Sequence, residues 1–319
     1  MCGINGIISK NSKINIETII KKMNDKIIHR GPDDDGVYLF NNDDDDYNVG
    51  IGMRRLSIID VNNGSQPIFS KNKNLCIVFN GEIYNYISLK QKLIDEFNLK
   101  FTTSSDTEVV LKLYEKYGTE SFKMLDGMFA FSIIDKIKNK IYIARDYFGE
   151  KPLYYTKRDN KIIWSSELKS LVNVFEDKKE IDKNALSLYF QLTYIPAPYT
   201  IYKEVKKLLP NHYLEIDIKT LDVSENIISK PKPKIVSKIN FTDAKKITRD
   251  LVMKSVESRS ISDVPIGAFL SGGVDSSIVS YCLSQNEENR INTFSIGFDN
   301  KKFDETEKSR VVARLINSK

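Results

Sequence analysis

Apolar residues along the chain follow two rhythms. Short alternating or continuous runs at residues 2–8, Val37–Phe40, Val49–Met53, Leu75–Phe79, Met128–Ile134, Lys140–Ala144, Leu153–Tyr155 and Ile162–Trp164 are bounded by turn residues, which predicts strands. Three-to-four periodicity predicts helices over Ile16–Ile28, Ile87–Glu96, Glu108–Tyr117 and Lys183–Leu192, and a further strand is expected near Tyr213–Ile218. Strands follow strands here instead of alternating one for one with helices. Residues 2–210 are therefore expected to form an α+β domain with layered αββα architecture. Gly3 and Gly6 in the first strand leave room for something close to the backbone.

The order changes after Lys230-Pro231-Lys232-Pro233-Lys234, which reads as an extended linker, so residues 211–234 are expected to connect two domains. Beyond it come a helix at Thr242–Ser258, a strand at Pro265–Leu270, a glycine-rich loop, a helix at Ser276–Ser284 and a strand at Ile291–Ile296. That order is βαβ, the beginning of an α/β parallel sheet. Two strands do not complete such a sheet, so residues 235–319 are expected to be an incomplete second domain.

Composition narrows the function. The 48 basic and 43 acidic residues are interspersed and leave a net charge of only +5, without the basic stripe that nucleic-acid binding requires. No apolar run is long enough for a membrane helix, and Met1-Cys2-Gly3-Ile4 lacks the character of a signal peptide. The three cysteines, Cys2, Cys76 and Cys282, make no disulfide framework, and no CxxC pattern points to zinc. A reducing, cytoplasmic setting is expected. Cys76 and Cys282 read as buried packing residues, and the acidic run Asp43–Asp46 as a surface loop.

Cys2 is the exception. Removal of Met1 would leave a thiol and a free α-amine on one residue, and the amine can take the thiol proton and return it to a leaving group. Three polar clusters could serve it. Arg55 could hold a carboxylate bidentately or simply sit solvated at a strand edge. Asn80-Gly81-Glu82 follows an apolar strand, where a side-chain amide and a glycine N–H could stabilise an oxyanion, although Asn-Gly is also an ordinary turn signal. Ser105-Asp106-Thr107-Glu108 fits a capping box, which leaves Asp106 free to meet an ammonium group or to complement the helix dipole. Together these groups suit a free amino acid whose side-chain amide meets Cys2.

At the other end, Leu270-Ser271-Gly272-Gly273-Val274-Asp275-Ser276-Ser277 lies between a strand and a helix. It lacks the Gly-Lys-Ser/Thr of a Walker A loop. Its glycine N–H groups and serines could cradle phosphates, with Asp275 as a Mg2+ contact, or form an ordinary strand–helix turn.

These residues carry a family resemblance. The chain resembles the glutamine-hydrolysing asparagine synthetases in Met1-Cys2-Gly3-Ile4, His29-Arg30-Gly31-Pro32-Asp33, Arg55–Asp60, Gly64-Ser65-Gln66-Pro67 and Phe79–Asn85. The likeness continues through Ser105–Glu108, Asp126–Phe131, Ala144-Arg145-Asp146, Phe148–Leu153, Ser165-Ser166-Glu167 and the loop at 270–277. The resemblance implies an N-terminal-nucleophile αββα sandwich with Cys2 as glutaminase nucleophile. It also implies Asn80 and Gly81 as oxyanion hole, and Arg55, Asn80, Glu82 and Asp106 around the glutamine. Leu270, Ser271, Gly272, Gly273, Asp275, Ser276 and Ser277 would hold ATP and pyrophosphate. The implied reaction takes ATP, Mg2+, aspartate and glutamine to asparagine through β-aspartyl-AMP and ammonia, in an enzyme with no nucleic-acid or membrane partner and with a homodimer left open. Family members continue well past residue 319, so this chain is expected to be C-terminally truncated and to retain at most the glutaminase half. Two alternatives stay open, amidation of a different carboxylate and a catalytically silent interaction fragment. Asn211 stands where the family often has glycine and is expected to be left-handed.

Overall fold

The computed structural model describes residues 1–10, 14–41, 47–158, 160–174, 179–230, 238–286 and 290–319. The acidic run Asp43–Asp46 and the Pro231–Lys234 part of the expected linker lie outside the described residues. The chain divides into two compact units, Met1–Pro231 and Lys232–Lys319.

In chain order the first unit contains β1 (Gly3–Ser9), α1 (Ile16–Asp25), β2 (Asp34–Asn41), β3 (Asn48–Arg55), β4 (Ile68–Phe69), β5 (Leu75–Ile83), α2 (Tyr86–Phe97) and α3 (Asp106–Tyr117). It continues with β6 (Gly127–Asp135), β7 (Lys140–Arg145), β8 (Tyr154–Arg158), β9 (Lys161–Ser165), α4 (Leu168–Val172) and α5 (Lys183–Leu192). Its last strands are β10 (Lys206–Lys207), β11 (His212–Asp217) and β12 (Val223–Ile227). One antiparallel sheet has the order β10-β8-β9-β1-β3-β2 and the other β12-β11-β7-β6-β5-β4.

Strand alternation assigns the layers. In β1, Ile4 and Ile8 enter a core shared by the two sheets, with Ile51 and Met53 of β3 and Cys76 and Val78 of β5. Ile7 turns the other way, onto Ile16, Ile20 and Met23 of α1. On the far side of the second sheet, Ile77 and Phe79 pack with Leu89 and Leu93 of α2 and Val110 and Leu113 of α3. The result is the αββα sandwich. What lies close to the first strand is a tryptophan: Gly6 pairs with Trp164 across β1 and β9, and a Cβ at Gly6 would stand 2.0 Å from the indole ring.

Two expectations need correction. Residues 211–227, placed in the connector, supply β11, where a strand was expected near Tyr213–Ile218, and in addition β12, so they belong to the first unit's sheet, with Leu214 facing Ile143 in β7. Asn211 starts this segment with φ of 61°, as expected for the left-handed residue. The second correction concerns helix α1, which ends at Asp25 and gives way to a 3-10 turn at Ile28–Arg30.

The second unit contains α6 (Phe241–Ser258), β13 (Gly267–Phe269), α7 (Val274–Asn286), β14 (Asn292–Phe294) and α8 (Thr306–Leu315), with β13 and β14 parallel. Ala268, Leu283 and Ile291 form its small core. On α7, Cys282 is buried as expected and so is Leu283, whereas Ile278 and Val279 are each 45% exposed.

The Gly6–Trp164 contact gives a stability test. Gly6→Ala is expected to cost about 1–3 kcal/mol, as overpacking a filled core does, and to lower the denaturant midpoint accordingly. An unchanged midpoint would mean that the indole does not lie across Gly6.

Candidate functional site

The same two-residue period that builds the core also places the polar groups. Continuing the inward-facing series of β3, Arg55 follows Ile51 and Met53; in β5, Asn80 and Glu82 follow Cys76 and Val78. Cys2, one residue before β1, packs against the same core. Thus Cys2, Arg55, Asn80, Glu82, Asp106 and Lys151 line a single cavity at the end of the sandwich, with Met1 at its wall.

Cys2 is fixed at both ends. Its Sγ lies 3.5 Å from the Leu56 carbonyl and 3.4 Å from the Leu56 N–H. Its carbonyl accepts a 2.8 Å bond from Arg30 Nε, and Arg30 is braced by Glu167 at 3.2 Å. Burial pushes the thiol pKa up, with the Leu56 N–H pulling the other way.

Asn80-Gly81-Glu82 does not form the turn that Asn-Gly can signal. These residues lie inside β5, paired with Ala130, Phe129 and Met128 of β6. Pairing with a distant strand overrides the local Asn-Gly signal, and the consequence is chemical. Phe129 exchanges bonds with Asp146, donating to its carboxylate at 3.2 Å and accepting from its N–H at 2.9 Å. Its backbone therefore points away from Gly81, and by strand alternation the Gly81 N–H lies on the opposite, outer edge of β5. The neighbouring N–H groups on that edge are taken, Phe79 by Gln66 Oε1 at 2.7 Å and Ile83 by Asp106 Oδ2 at 3.0 Å. Gly81 sits between them at the cavity. A Cβ there would come within 2.1 Å of the Met128 carbonyl. Asn80 is 1% exposed, yet neither Oδ1 nor Nδ2 has a protein partner. Leaving a buried amide unpaired costs about 1–3 kcal/mol, so this amide needs a partner from outside the protein, water or a ligand.

Arg55 is committed in part to the protein. Its guanidinium donates to the carbonyls of Asp60 at 2.7 Å, Ile59 at 3.0 Å and Val61 at 3.3 Å, which shapes the loop after β3 into a cavity wall. Asp60, with φ of 51°, ties that loop to α3 by accepting from Ser104 N–H at 2.7 Å.

Helix α3 starts at Asp106 with Ser105 as N-cap, but the capping box does not close. Ser105 Oγ accepts from Thr107 N–H at 3.2 Å, and Glu108 instead accepts from the N–H groups of Thr102 and Thr103. Asp106 is free of the capping role and is buried at the cavity. Burial raises its pKa to about 6 against the opposing pull of the Ile83 and Thr107 N–H groups. Burial likewise raises Glu82, with nearby Lys151 opposing.

Gln66 and Lys151 belong to this site and were not singled out from sequence. Gln66 fixes the β5 edge. Lys151 is 4% exposed, and burial lowers its pKa. Within the second unit, the segment Leu270–Ser277 divides differently from expectation, because α7 begins at Val274 and takes Asp275, Ser276 and Ser277 into its first turn. Ser271 and Ser276 hydroxyls meet at 3.0 Å, and Ser276 and Ser277 hydroxyls donate to the Gly273 carbonyl at 3.2 and 2.6 Å. Gly272 has φ of 81° and packs against Lys308, so a side chain is excluded. Hydroxyls and helix-start N–H groups fit phosphate, and exposed Asp275 could give Mg2+ one carboxylate beside water and phosphate oxygens. Among the described residues no group of three His, Cys, Asp or Glu side chains could hold a metal, and no helix is long and apolar enough to cross a membrane.

Comparison with known proteins agrees with this architecture. Residues 1–226 match the glutamine amidotransferase domain family and residues 248–319 the asparagine synthase family. The chain is 42% identical over 333 aligned positions to a putative glutamine-hydrolysing asparagine synthetase of Methanocaldococcus jannaschii, covering 98% of this chain and 62% of the relative. It is 40% identical over 322 positions to asparagine synthetase 1 of Bacillus subtilis, covering 99% of this chain and 49% of that protein. The chain thus spans about half to three-fifths of these relatives. Among solved structures, glutamine phosphoribosylpyrophosphate amidotransferase of B. subtilis superposes with a TM-score of 0.51 at 17% identity, covering 95% of this chain and 68% of that one, a likeness of fold. On the match over most of its length, the chain belongs to the glutamine amidotransferases, as a class II amidotransferase domain followed by an asparagine-synthetase-type segment.

Proposed function

We propose that the first unit is a glutaminase in which Cys2, freed of Met1, attacks the side-chain amide of glutamine. The α-amine takes the thiol proton as the Sγ–carbon bond forms. Breaking the carbon–nitrogen bond releases ammonia with that proton and leaves a γ-glutamyl thioester, which water hydrolyses to glutamate. Asn80 Nδ2 and the Gly81 N–H meet the oxyanion, Asp106 and Glu82 the α-ammonium, and Arg55 the α-carboxylate. The observation that carries this reading is the buried Asn80 amide with both polar atoms unpartnered beside Cys2.

The full reaction proposed, by similarity to the relatives, passes the ammonia to a β-aspartyl adenylate made from aspartate and ATP. The role proposed for Ser271–Ser277 is to hold the phosphates of ATP, with Asp275 toward Mg2+. ATP supplies the activation of the carboxylate, and this chain's loop orients it.

Glutamate release from glutamine tests the first half. Intact mass should show a chain beginning at Cys2, and Cys2→Ala should abolish release while still binding glutamine; an active chain that retains Met1 would contradict the mechanism. Asn80→Ala should slow turnover by about 2.7–4 kcal/mol, the worth of an oxyanion-hole donor, with little change in glutamine affinity. A loss confined to affinity would remove Asn80 from that role.

Asp106 gives a pH signature. A bound ammonium favours its carboxylate, so glutamine binding to the Cys2→Ala chain should weaken as pH falls through about 6, and Asp106→Asn should remove that dependence. The stability effect has the opposite sign. The native pKa lies above the ordinary 3.8, the folded chain binds the extra proton, and stability contributed by this group is lost as pH rises from about 4 through about 6. Calorimetric titration and denaturant unfolding across that range read the two effects separately.

A further inference from the structure

A lysine ammonium buried at the nucleophile calls for an explanation. The backbone of Lys151 is clamped from two sides: its N–H donates to Asp146 Oδ2 at 2.9 Å, and its carbonyl accepts from Arg145 Nε at 2.7 Å. Asp146 also gathers the N–H groups of Phe148 and Glu150 at 3.1 and 2.9 Å, so the whole segment is built around one carboxylate. This clamp directs the side chain into the cavity that Cys2, Asn80 and Asp106 line. There its Nζ lies 3.3 Å from the Met1 sulfur. Among the described residues Lys151 makes no ion pair within 4 Å, although Glu82 shares the cavity. A buried cation whose one hydrogen-bonding side-chain partner among the described residues is a thioether is costly to desolvate, and it adds nothing to packing that a methionine would not.

We propose that Lys151 is a positioning residue for the base: once Met1 is gone, its ammonium stands beside the exposed α-amine of Cys2 and keeps that amine in the neutral, proton-accepting form. The proposal rests on the glutaminase reading above. The physical reason is like-charge repulsion in a poorly solvated cavity, which penalises a second ammonium. In the chain that carries Met1, burial lowers the pKa of the Met1 amine; Cys2 opposes, Arg30 and then Lys151 lower it further, and Asp33 opposes. Arg55, Glu82 and Asp106 complete the set of charged groups at the cavity. Arg30 is held by the Cys2 carbonyl and Glu167, which partly neutralises it. Among the described residues Lys151 has no such counter-ion within 4 Å, so its charge, which ranks after that of Arg30 at the Met1 amine, is not offset by a contact ion pair. While Met1 is in place the thioether occupies the ammonium and the nitrogen of Cys2 is an amide; processing therefore creates the base and frees the cation that tunes it in the same step.

The test compares the native chain with Lys151→Met, which keeps the length and removes the charge, and Lys151→Arg, which keeps the charge. Glutamate release should need the neutral amine below its optimum, so the acid limb of kcat/KM should move up by roughly one pH unit in Lys151→Met and stay put in Lys151→Arg. Lys151→Gln replaces the Met variant should that one fail to fold. The amine is also titrated directly, by competitive acetylation of the chain start in Cys2→Ala with and without Lys151→Met. The charge-removing variant should show the higher amine pKa. An acid limb and an amine titration unmoved by Lys151→Met overturn the proposal, as does a change confined to KM, which would make Lys151 a glutamine contact. Glutamate release that persists in Cys2→Ala would instead overturn the glutaminase reading and this proposal with it.

Discussion

The two-residue period of three strands governs everything else in the first unit. Residues of β1, β3 and β5 that face inward along most of their length make the apolar core, and the same faces carry Arg55, Asn80 and Glu82 where the core ends, against Cys2 just before β1. A slip of one residue in any of these strands would turn the chemistry onto a helix-covered face. Register is therefore a functional quantity here. It is pinned by close contacts that a side chain would strain, Gly6 under Trp164 and Gly81 against the Met128 carbonyl.

That arrangement also explains why the site is both polar and buried. The sheets and α3 bring Asp106, Glu82, Arg55 and Lys151 to one cavity, and burial works on each titratable carboxylate or amine there in the direction of its neutral form. Backbone donors restrain the cost unequally. Asp106 keeps two N–H bonds and remains titratable near neutral pH, whereas Asn80 keeps none. Asn80, with both amide atoms unpartnered, lines the same cavity as Cys2, which is the expected signature of a site completed by its ligand.

Much of this was legible from sequence because it is local. The apolar rhythm placed most of the longer strands and helices within a few residues but not β4, β10, β12, α4 or α8, and the amine-plus-thiol logic singled out Cys2. What escaped was set by distant partners. Asn80-Gly81 reads locally as a turn, and only pairing with Met128–Ala130 makes it strand. Glu108 fits a capping box by spacing, but Thr102 and Thr103 offer it better donors. Strand β12 is an edge strand rich in Ser, Glu and Asn with no apolar alternation, so it passed for linker. Lys151 looks like any loop lysine until Asp146 and Arg145 fold the segment around it.

The central claim is that the cavity at the end of the sandwich is a glutamine site served by the thiol of an N-terminal cysteine. Its most direct test is covalent trapping with a glutamine analogue bearing a diazoketone in place of the amide, followed by peptide mass spectrometry. The account predicts one adduct, on Cys2 of a chain lacking Met1, suppressed by excess glutamine, with Cys76 and Cys282 unmodified. An adduct on Cys76 or Cys282, on a chain that retains Met1, or one indifferent to glutamine would contradict it.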